Sequence, residues 1–162
     1  IPQKLVIGGE GPDRDALTTL AKECGVAGRV VLPGFASNPY PLMRGADYFV
    51  LSSISEGFPN AMVEAMALGI PIVATNCPSA PAQILAETPR ETISGVTQAR
   101  HGVLTPVGDV GAMARALGMM AAPEMRQNYG QKAAARAKDF SPAASKNAYW
   151  NVMRAALEVR RS

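Results

Sequence analysis

The organisation of this chain is best read from residues 55–66, which run Ser55-Glu56-Gly57-Phe58-Pro59-Asn60-Ala61-Met62-Val63-Glu64-Ala65-Met66. An apolar run at 48–51 comes just before this stretch, and the residues after Pro59 have helical spacing. Proline is well suited to the start of a helix because its φ is already fixed near the helical value. The stretch therefore joins a strand to a helix. In parallel α/β sheets, ligands bind beyond the carboxyl ends of the strands, so we expect this loop to line a cleft.

Five apolar runs alternate with segments of helical period. The runs cover residues 4–8, 29–33, 47–52, 70–75 and 102–105. This alternation predicts an α/β fold, with a Rossmann-like parallel sheet flanked by helices. The runs at 48–51 and 70–73 lack the apolar/polar alternation of half-exposed strands. We therefore expect both to be interior strands.

Turn and capping residues predict where several helices begin and end. Gly25 and Gly69 stand where a helix should stop, Asp109 is a candidate N-cap, and Pro123 suits a first helical position. With 162 residues, 48% of them hydrophobic, the chain has the length and composition of one globular domain. We predict a single domain over residues 1–162.

The loop at 55–60 has the residue types needed to bind a polar, phosphorylated ligand. Gly57 allows close approach of the backbone, and the free amides at the helix start can receive a phosphate. Glu56 lies before the helix, while Asn60 and Glu64 share one helix face about 6 Å apart. Carboxylates beside a phosphate avoid repulsion when they accept hydrogen bonds from sugar or ribose hydroxyls. The alternative is that both glutamates are ordinary exposed residues, which is the usual state of glutamate.

Glu56 and Glu64, separated by seven residues in a Glu-Gly-Phe-Pro-Asn setting, resemble the signature of family 4 of the GT-B glycosyltransferases. Five further stretches resemble landmarks of that family in the same order. They are residues 9–12 (Gly-Glu-Gly-Pro), 31–35, 46–53, 70–79 and 102–106. The resemblance covers residues 5–118 as a collinear match, which is more specific than any single motif.

The resemblance implies the C-terminal half of a GT-B enzyme, a retaining transferase whose donor is a nucleoside diphosphate sugar. It implies that Glu56 contacts sugar hydroxyls at the reacting centre and that Glu64 binds the ribose hydroxyls. It also implies that the loop at Gly34 and Phe35 lies near the base. The donor-binding residues implied are Glu64, Gly57, Phe58, Pro59, Asn60, Ala61, Gly9, Gly34 and Phe35. No cofactor is implied; the donor is a substrate, a UDP-sugar or another nucleoside diphosphate sugar, and the acceptor is a glycan or a lipid-linked molecule.

Three departures from the family pattern affect what the chain is expected to do. The Arg and Lys that the family places before Gly8 to clamp the diphosphate are not in this sequence, so we expect the chain alone to bind the donor weakly. Ala80, Ala82 and Gln83 occupy a loop where many relatives read Gly-Pro-Arg-Glu, which bears on donor specificity. The sequence also begins inside a structural element, so we expect the N-terminal acceptor domain and the first βα unit to be missing. On this interpretation the isolated 162-residue chain is inactive. Trp150 is then exposed because its partner surface lies in the other domain, and the alternative is that it packs within this domain.

Three other sequence features do not indicate a metal site, a dinucleotide-binding site or a catalytic histidine. Asp13-Arg14-Asp15 matches a metal-binding D-x-D, but these acids are better explained by their position at a helix start, so we predict no metal site. Arg14 also stands where a dinucleotide fingerprint needs Gly or Ala. His101, the only histidine, has no placed partner in the sequence and is not predicted to be a catalytic base.

Charge is unevenly distributed, with ten Lys and Arg against four Asp and Glu after residue 99. We interpret this excess as a solvated helix face, with contact to an anionic membrane as the alternative. We predict a cytoplasmic location, with the inner face of the membrane as its variant, and no nucleic-acid partner. Two other functions remain open: a non-catalytic nucleotide-binding or scaffold module, and a GT-B-fold nucleotide-sugar epimerase.

Overall fold

The computed structural model describes residues 3–159, and side chains as far as Leu157. The strands are β1 (Leu5–Gly8), β2 (Val30–Gly34), β3 (Phe49–Leu51), β4 (Ile72–Thr75), β5 (Thr97–Gln98) and β6 (Val103–Thr105). The helices are α1 (Arg14–Glu23), α2 (Tyr40–Arg44), α3 (Asn60–Ala67), α4 (Ala80–Leu85), α5 (Val110–Met119), α6 (Pro123–Ala137) and α7 (Pro142–Val159). Each predicted strand is present; four are slightly shorter than predicted, and β2 is shifted by one residue.

The chain divides into two compact units, Ile1–Leu42 and Met43–Ser162. In the first unit, β1 and β2 pair in parallel, with α1 between them in sequence. Such a connection places the carboxyl ends of both strands at one edge. A single domain over residues 1–162 stays a prediction.

The second unit contains a four-stranded sheet in the order β3-β4-β6-β5. The first three strands are parallel, whereas β5 pairs antiparallel with β6. All four residues of β4 are buried, but those of β3 are only half-buried, and β3 is an edge strand of this sheet. The prediction of two interior strands was therefore correct for β4 and wrong for β3. A continuous apolar run indicates cover on both faces and does not determine how many strands lie beside it.

The core of the second unit forms where α3 and α4 pack against the sheet. Its largest fully buried side chains include Met62, Met66, Ile72, Leu85 and Leu104. These residues place the buried face of α3 inside the domain.

Helix α3 also packs closely against α6. A Cβ atom added at Gly130 would lie 2.5 Å from the carbonyl oxygen of Gly69, so the two backbones meet where only glycine fits. This close approach fixes the position of α3, and with it the loop that precedes the helix.

The predicted helix ends are confirmed. Asp109 accepts a hydrogen bond from the amide of Ala112 at 2.8 Å, which is the N-cap arrangement. Pro123 is the first residue of α6. Gly25 and Gly69 follow α1 and α3 with φ of 67° and 74°, the left-handed conformation that glycine adopts readily after a helix.

Helix α7 carries an exposed apolar surface. Trp150 is 50% exposed, and its neighbours on this helix are exposed as well; they are Tyr149, Val152, Met153 and Leu157. Of the two alternatives for Trp150, the structure shows exposure, while a partner surface in another domain stays a prediction. Within residues 3–159, none of the helices combines the length and the hydropathy that crossing a bilayer requires.

Candidate functional site

A tight turn leads into α3. The amide of Asn60 donates to the carbonyl of Phe58 at 2.9 Å around Pro59, whose φ of −79° and ψ of 74° are those of an inverse γ-turn. The amide of Val63 then donates to the carbonyl of Pro59 at 3.1 Å and begins the helical pattern. The turn therefore occupies the backbone amide of Asn60. The side chain of Asn60 is exposed beside this turn.

The start of α3 nevertheless keeps unpaired donors. No side chain caps the helix, and within residues 3–159 the amides of Gly57, Phe58 and Ala61 make no hydrogen bond. Gly57 and Ala61 are exposed, while Phe58 is 47% exposed. Such amides, together with the positive end of the helix dipole, can bind an anion.

Gly57 is not explained by the needs of the protein interior. A Cβ atom built on it would meet nothing within 4 Å, and its φ is not positive. The missing side chain leaves open space at Gly57, which gives a ligand room to approach the backbone there.

Glu56 is tied to the carboxyl ends of two neighbouring strands. Its Oε1 accepts a hydrogen bond of 2.5 Å from the hydroxyl of Ser53, which follows β3. The hydroxyl of Thr75, the last residue of β4, donates to the carbonyl of Ser53. One carboxylate oxygen is thus fixed, and within the described residues the other oxygen makes no hydrogen bond.

Glu64 lies in α3, one turn after Asn60. Its side chain is half-buried, and neither a hydrogen bond nor an ion pair connects that side chain to any other residue between 3 and 159. The adjacent face of the helix is formed by the fully buried residues Met62, Ala65 and Met66. Its carboxylate is therefore available to accept hydrogen bonds from a ligand.

Gly9, Gly34 and Phe35 come together in the first unit. The amide of Gly9 donates to the carbonyl of Gly34 at 3.0 Å, and both glycines have positive φ, 124° and 82°. A Cβ atom at Gly34 would collide with Oε1 of Glu10. The ring of Phe35, at the end of the same strand, is 78% exposed. The glycines thus hold the two strand ends together beside an exposed aromatic ring.

The stretch with Ala80, Ala82 and Gln83 is a helix, α4, where the sequence indicated a loop. Pro81 occupies its first turn, and Ser79 before it has a φ of 86°. The carbonyl of Gln83 accepts a hydrogen bond of 3.1 Å from Arg136. A residue from α6, 53 positions later, is therefore part of this region, and no local sequence signal announces it.

Asp13, Asp15 and His101 have structural surroundings. Asp13 and Asp15 lie at the start of α1, and residues 3–159 bring together no three metal-ligating side chains. The Nδ1 atom of His101 lies 3.3 Å from the carbonyl of Lys132, and its Nε2 atom lies 3.5 Å from Glu87. His101 therefore connects α6 to the loop after α4.

The family described as glycosyl transferases group 1 matches residues 2–122. The chain belongs to this family. A relative from Campylobacter jejuni, the N-acetylgalactosamine-N,N'-diacetylbacillosaminyl-diphospho-undecaprenol 4-alpha-N-acetylgalactosaminyltransferase, is 33% identical over 138 residues. That alignment covers 85% of this chain and 35% of the relative, so the chain spans about a third of the relative's length.

Solved structures confirm the fold. The apo form of the lipopolysaccharide outer core galactosyltransferase WaaB matches with a TM-score of 0.76 and 22% identity, over 94% of this chain and 41% of that one. Anabaena Alr3699/HepE, solved in complex with UDP, matches with a TM-score of 0.74 and 21% identity, over 96% and 42%. The α/β fold is that of the GT-B glycosyltransferases, as the resemblance implied.

Proposed function

We propose that this chain is the donor-binding domain of a retaining glycosyltransferase, which moves a sugar from a nucleoside diphosphate sugar to a hydroxyl of a glycan or lipid-linked acceptor. The observation that carries the proposal is the open, uncapped start of α3, which follows one partly free carboxylate, Glu56, and precedes another, Glu64, by a single helical turn. Membership of the glycosyl transferases group 1 supports this assignment.

The diphosphate binds the unpaired amides at the helix start. The amides of Gly57, Phe58 and Ala61 donate to its oxygens, and the open space at Gly57 allows the close approach. The amide group of the Asn60 side chain replaces the backbone donor that the turn consumes. Negative charge grows on the diphosphate as the sugar leaves, so these donors stabilise the transition state more than the ground state.

The two glutamates bind hydroxyl groups. Glu64 accepts hydrogen bonds from the ribose hydroxyls, which gives its half-buried carboxylate the partners that the protein does not supply. The free oxygen of Glu56 accepts from a hydroxyl of the transferred sugar, while Ser53 fixes the orientation of the carboxylate. In this retaining reaction the acceptor attacks on the face that the diphosphate leaves, and the departing diphosphate takes up the acceptor's proton.

Gly9, Gly34 and Phe35, in the first unit, stay predicted contacts of the donor's base, as the family resemblance implies. The exposed ring of Phe35 offers a flat surface for stacking against the base. Binding of UDP by the HepE protein, which has the same fold, supports a uridine or a similar nucleotide as the donor group.

A titration with UDP and GDP tests the proposal. We expect one of them to bind the full-length natural protein and Glu64→Ala to weaken that binding about tenfold or more, the usual cost of losing hydrogen bonds to a charged group. Glu124→Ala, which removes an exposed glutamate at the start of α6, is the matched control and should bind as wild type. Equal binding by wild type and Glu64→Ala would contradict the proposal, and no binding by either would favour a scaffold module.

Turnover tests the enzymatic part. The full-length protein should form a product whose anomeric configuration, measured by NMR, is that of the donor sugar. An inverted product would contradict retention, and an epimerised free nucleotide sugar would identify an epimerase. Since the chain spans only about a third of its relative, we propose that the 162-residue chain alone binds the donor without transferring it. Transfer by that chain would refute this.

We propose a cytoplasmic location, with peripheral contact of the basic helices at anionic membranes as its variant. The exposed cations on α6 and α7 include Lys132, Lys146 and Arg154. Arg136, counted with them in the sequence, is not available because its side chain is only 17% exposed and is bound within the protein. Arg160 and Arg161 lie outside the described residues. Binding of the protein to phosphatidylglycerol vesicles, lost at high salt, would support this contact.

A further inference from the structure

An aromatic contact supports the loop at residues 55–60, called the donor loop below. The ring of Phe58 meets that of Phe140 with centroids 5.8 Å apart and planes tilted by 57°. This is a favourable geometry for two aromatic rings. Phe140 ends the short 3-10 turn Lys138–Phe140, which joins α6 to α7. The ring of Phe58 therefore packs against a segment about eighty residues further along the chain.

Phe140 is in turn held by Arg136. The guanidinium carbon lies 4.9 Å from the centroid of the Phe140 ring, which is the geometry of a cation–π contact. The Nε and Nη2 atoms of Arg136 donate to the carbonyls of Ile84 and Gln83, each at 3.1 Å. Its Nη1 atom lies 2.9 Å from Asp139. The planar guanidinium of Arg136 makes several hydrogen bonds while its face covers the Phe140 ring. The ammonium group of a lysine cannot do both.

A carboxylate completes this support. Glu87 lies 3.1 Å from Arg136 and 2.6 Å from Arg100, and its backbone has a left-handed φ of 59°. Desolvation acts to raise the pKa of Glu87, but the hydrogen bond with His101 and the charges of Arg100 and Arg136 together lower it below its ordinary value of 4.5. The carboxylate is therefore charged near neutral pH, and its contacts hold the residue in a conformation that non-glycine residues rarely adopt.

We propose that Phe140 and Arg136 are positioning residues for the donor loop: Arg136 fixes the ring of Phe140, and that ring fixes Phe58 between the unpaired amide of Gly57 and the turn at Pro59. This inference rests on the proposed function and extends it to residues that the family match to residues 2–122 does not include. Phe58 remains 47% exposed despite the contact. A ring pair at the surface, next to unpaired amides, orders the loop that binds the diphosphate.

The structure provides a matched control on the same helix. Lys132 lies 5.5 Å over the ring of Tyr129, a second cation–π pair in α6. Tyr129 is buried and packs in the cluster around Val73 and Val103, away from Phe58. Lys132→Ala therefore removes a contact of the same type without touching the donor loop.

The test compares variants of the full-length natural protein by UDP titration and by hydrogen exchange of a peptide covering residues 55–61. We expect Phe140→Leu to weaken UDP binding roughly three- to tenfold, the range that one aromatic pair contributes. It should also speed exchange in that peptide, while cooperative thermal unfolding is retained. Phe140→Tyr should restore both values to within about twofold of wild type, since it keeps the ring. Lys132→Ala should change neither value.

The outcomes separate the two proposals. If Phe140→Leu binds UDP as wild type does while Glu64→Ala still loses binding, the positioning role is wrong and the proposed function stands. If Glu64→Ala binds UDP as wild type does, the proposed function fails. Should Phe140→Leu not fold, Arg136→Lys decides by the same two measurements, because lysine keeps the charge but not the planar guanidinium.

Discussion

Two regions of α3 differ in almost every physical respect. On its buried face, Met62 and Met66 are fully buried, and just beyond its end the Gly69 carbonyl approaches Gly130 so closely that no side chain fits. At its start, the helix is uncapped, its amides are unpaired and Gly57 faces open space. One helix thus combines a tightly packed contact at Gly69 and Gly130, called the seam below, with a start whose amides lack partners, called the entrance. The seam provides the rigidity that allows the entrance to keep donors free for a ligand.

The largest effect should come from the seam. Gly130→Ala places a methyl group against the backbone of Gly69, and we expect it to lower the free energy of unfolding by about 2 to 3 kcal/mol, the usual cost of overpacking. Gly118→Ala, in α5, is the control, since its new Cβ meets nothing and should stabilise the helix by roughly 0.5 to 1 kcal/mol. Denaturant unfolding measures both. Equal stability of the two variants would remove the distinction between seam and open surface.

At the entrance, the effect should fall on binding and not on stability. Gly57→Ala fills the open space at this position, so we expect UDP binding to weaken by about tenfold while the free energy of unfolding changes by less than about 0.5 kcal/mol. Gly28→Ala, at another glycine whose Cβ would meet nothing, should leave binding unchanged. A Gly57→Ala variant that binds normally would mean that the ligand does not approach this loop.

The smallest effect concerns acid stability. Because the pKa of folded Glu87 is lowered, its contribution is present above its unfolded pKa near 4.5 and is lost as the pH falls below that value. Glu87→Gln should therefore lower the melting temperature at pH 7, and the difference from wild type should shrink toward pH 3. Glu91→Gln, an exposed carboxylate in the same loop, should show no such trend. A constant difference at all pH values would contradict the assigned pKa direction.

The sequence predicted features that depend on neighbouring residues. The five strands, the cap at Asp109 and the stop at Gly69 follow from local spacing and backbone preference, and each is present. It did not predict α4, because Ala80-Pro81-Ala82 is short and carries a proline that also suits a loop. The two residues of β5 are too few to show a period.

Features that depend on contacts between distant residues could not be predicted in this way. The edge position of β3 is decided by which strands pair, and the use of the Asn60 amide by a turn is decided by backbone angles at Pro59. Arg136 appeared as one more exposed cation, whereas it binds carbonyls 52 and 53 residues away. The loop that we propose to bind the donor could be recognised in the sequence, but its contacts with residues of α6 and the following turn could not.

Backbone amide chemical shifts during a UDP titration of the isotope-labelled protein test the central claim most directly. If the diphosphate binds the start of α3, the largest shifts will fall on the unpaired amides of Gly57, Phe58 and Ala61, and the Asn60 amide, held by its turn, will move less. Small shifts at these three amides, with the largest ones elsewhere in the chain, would contradict the account.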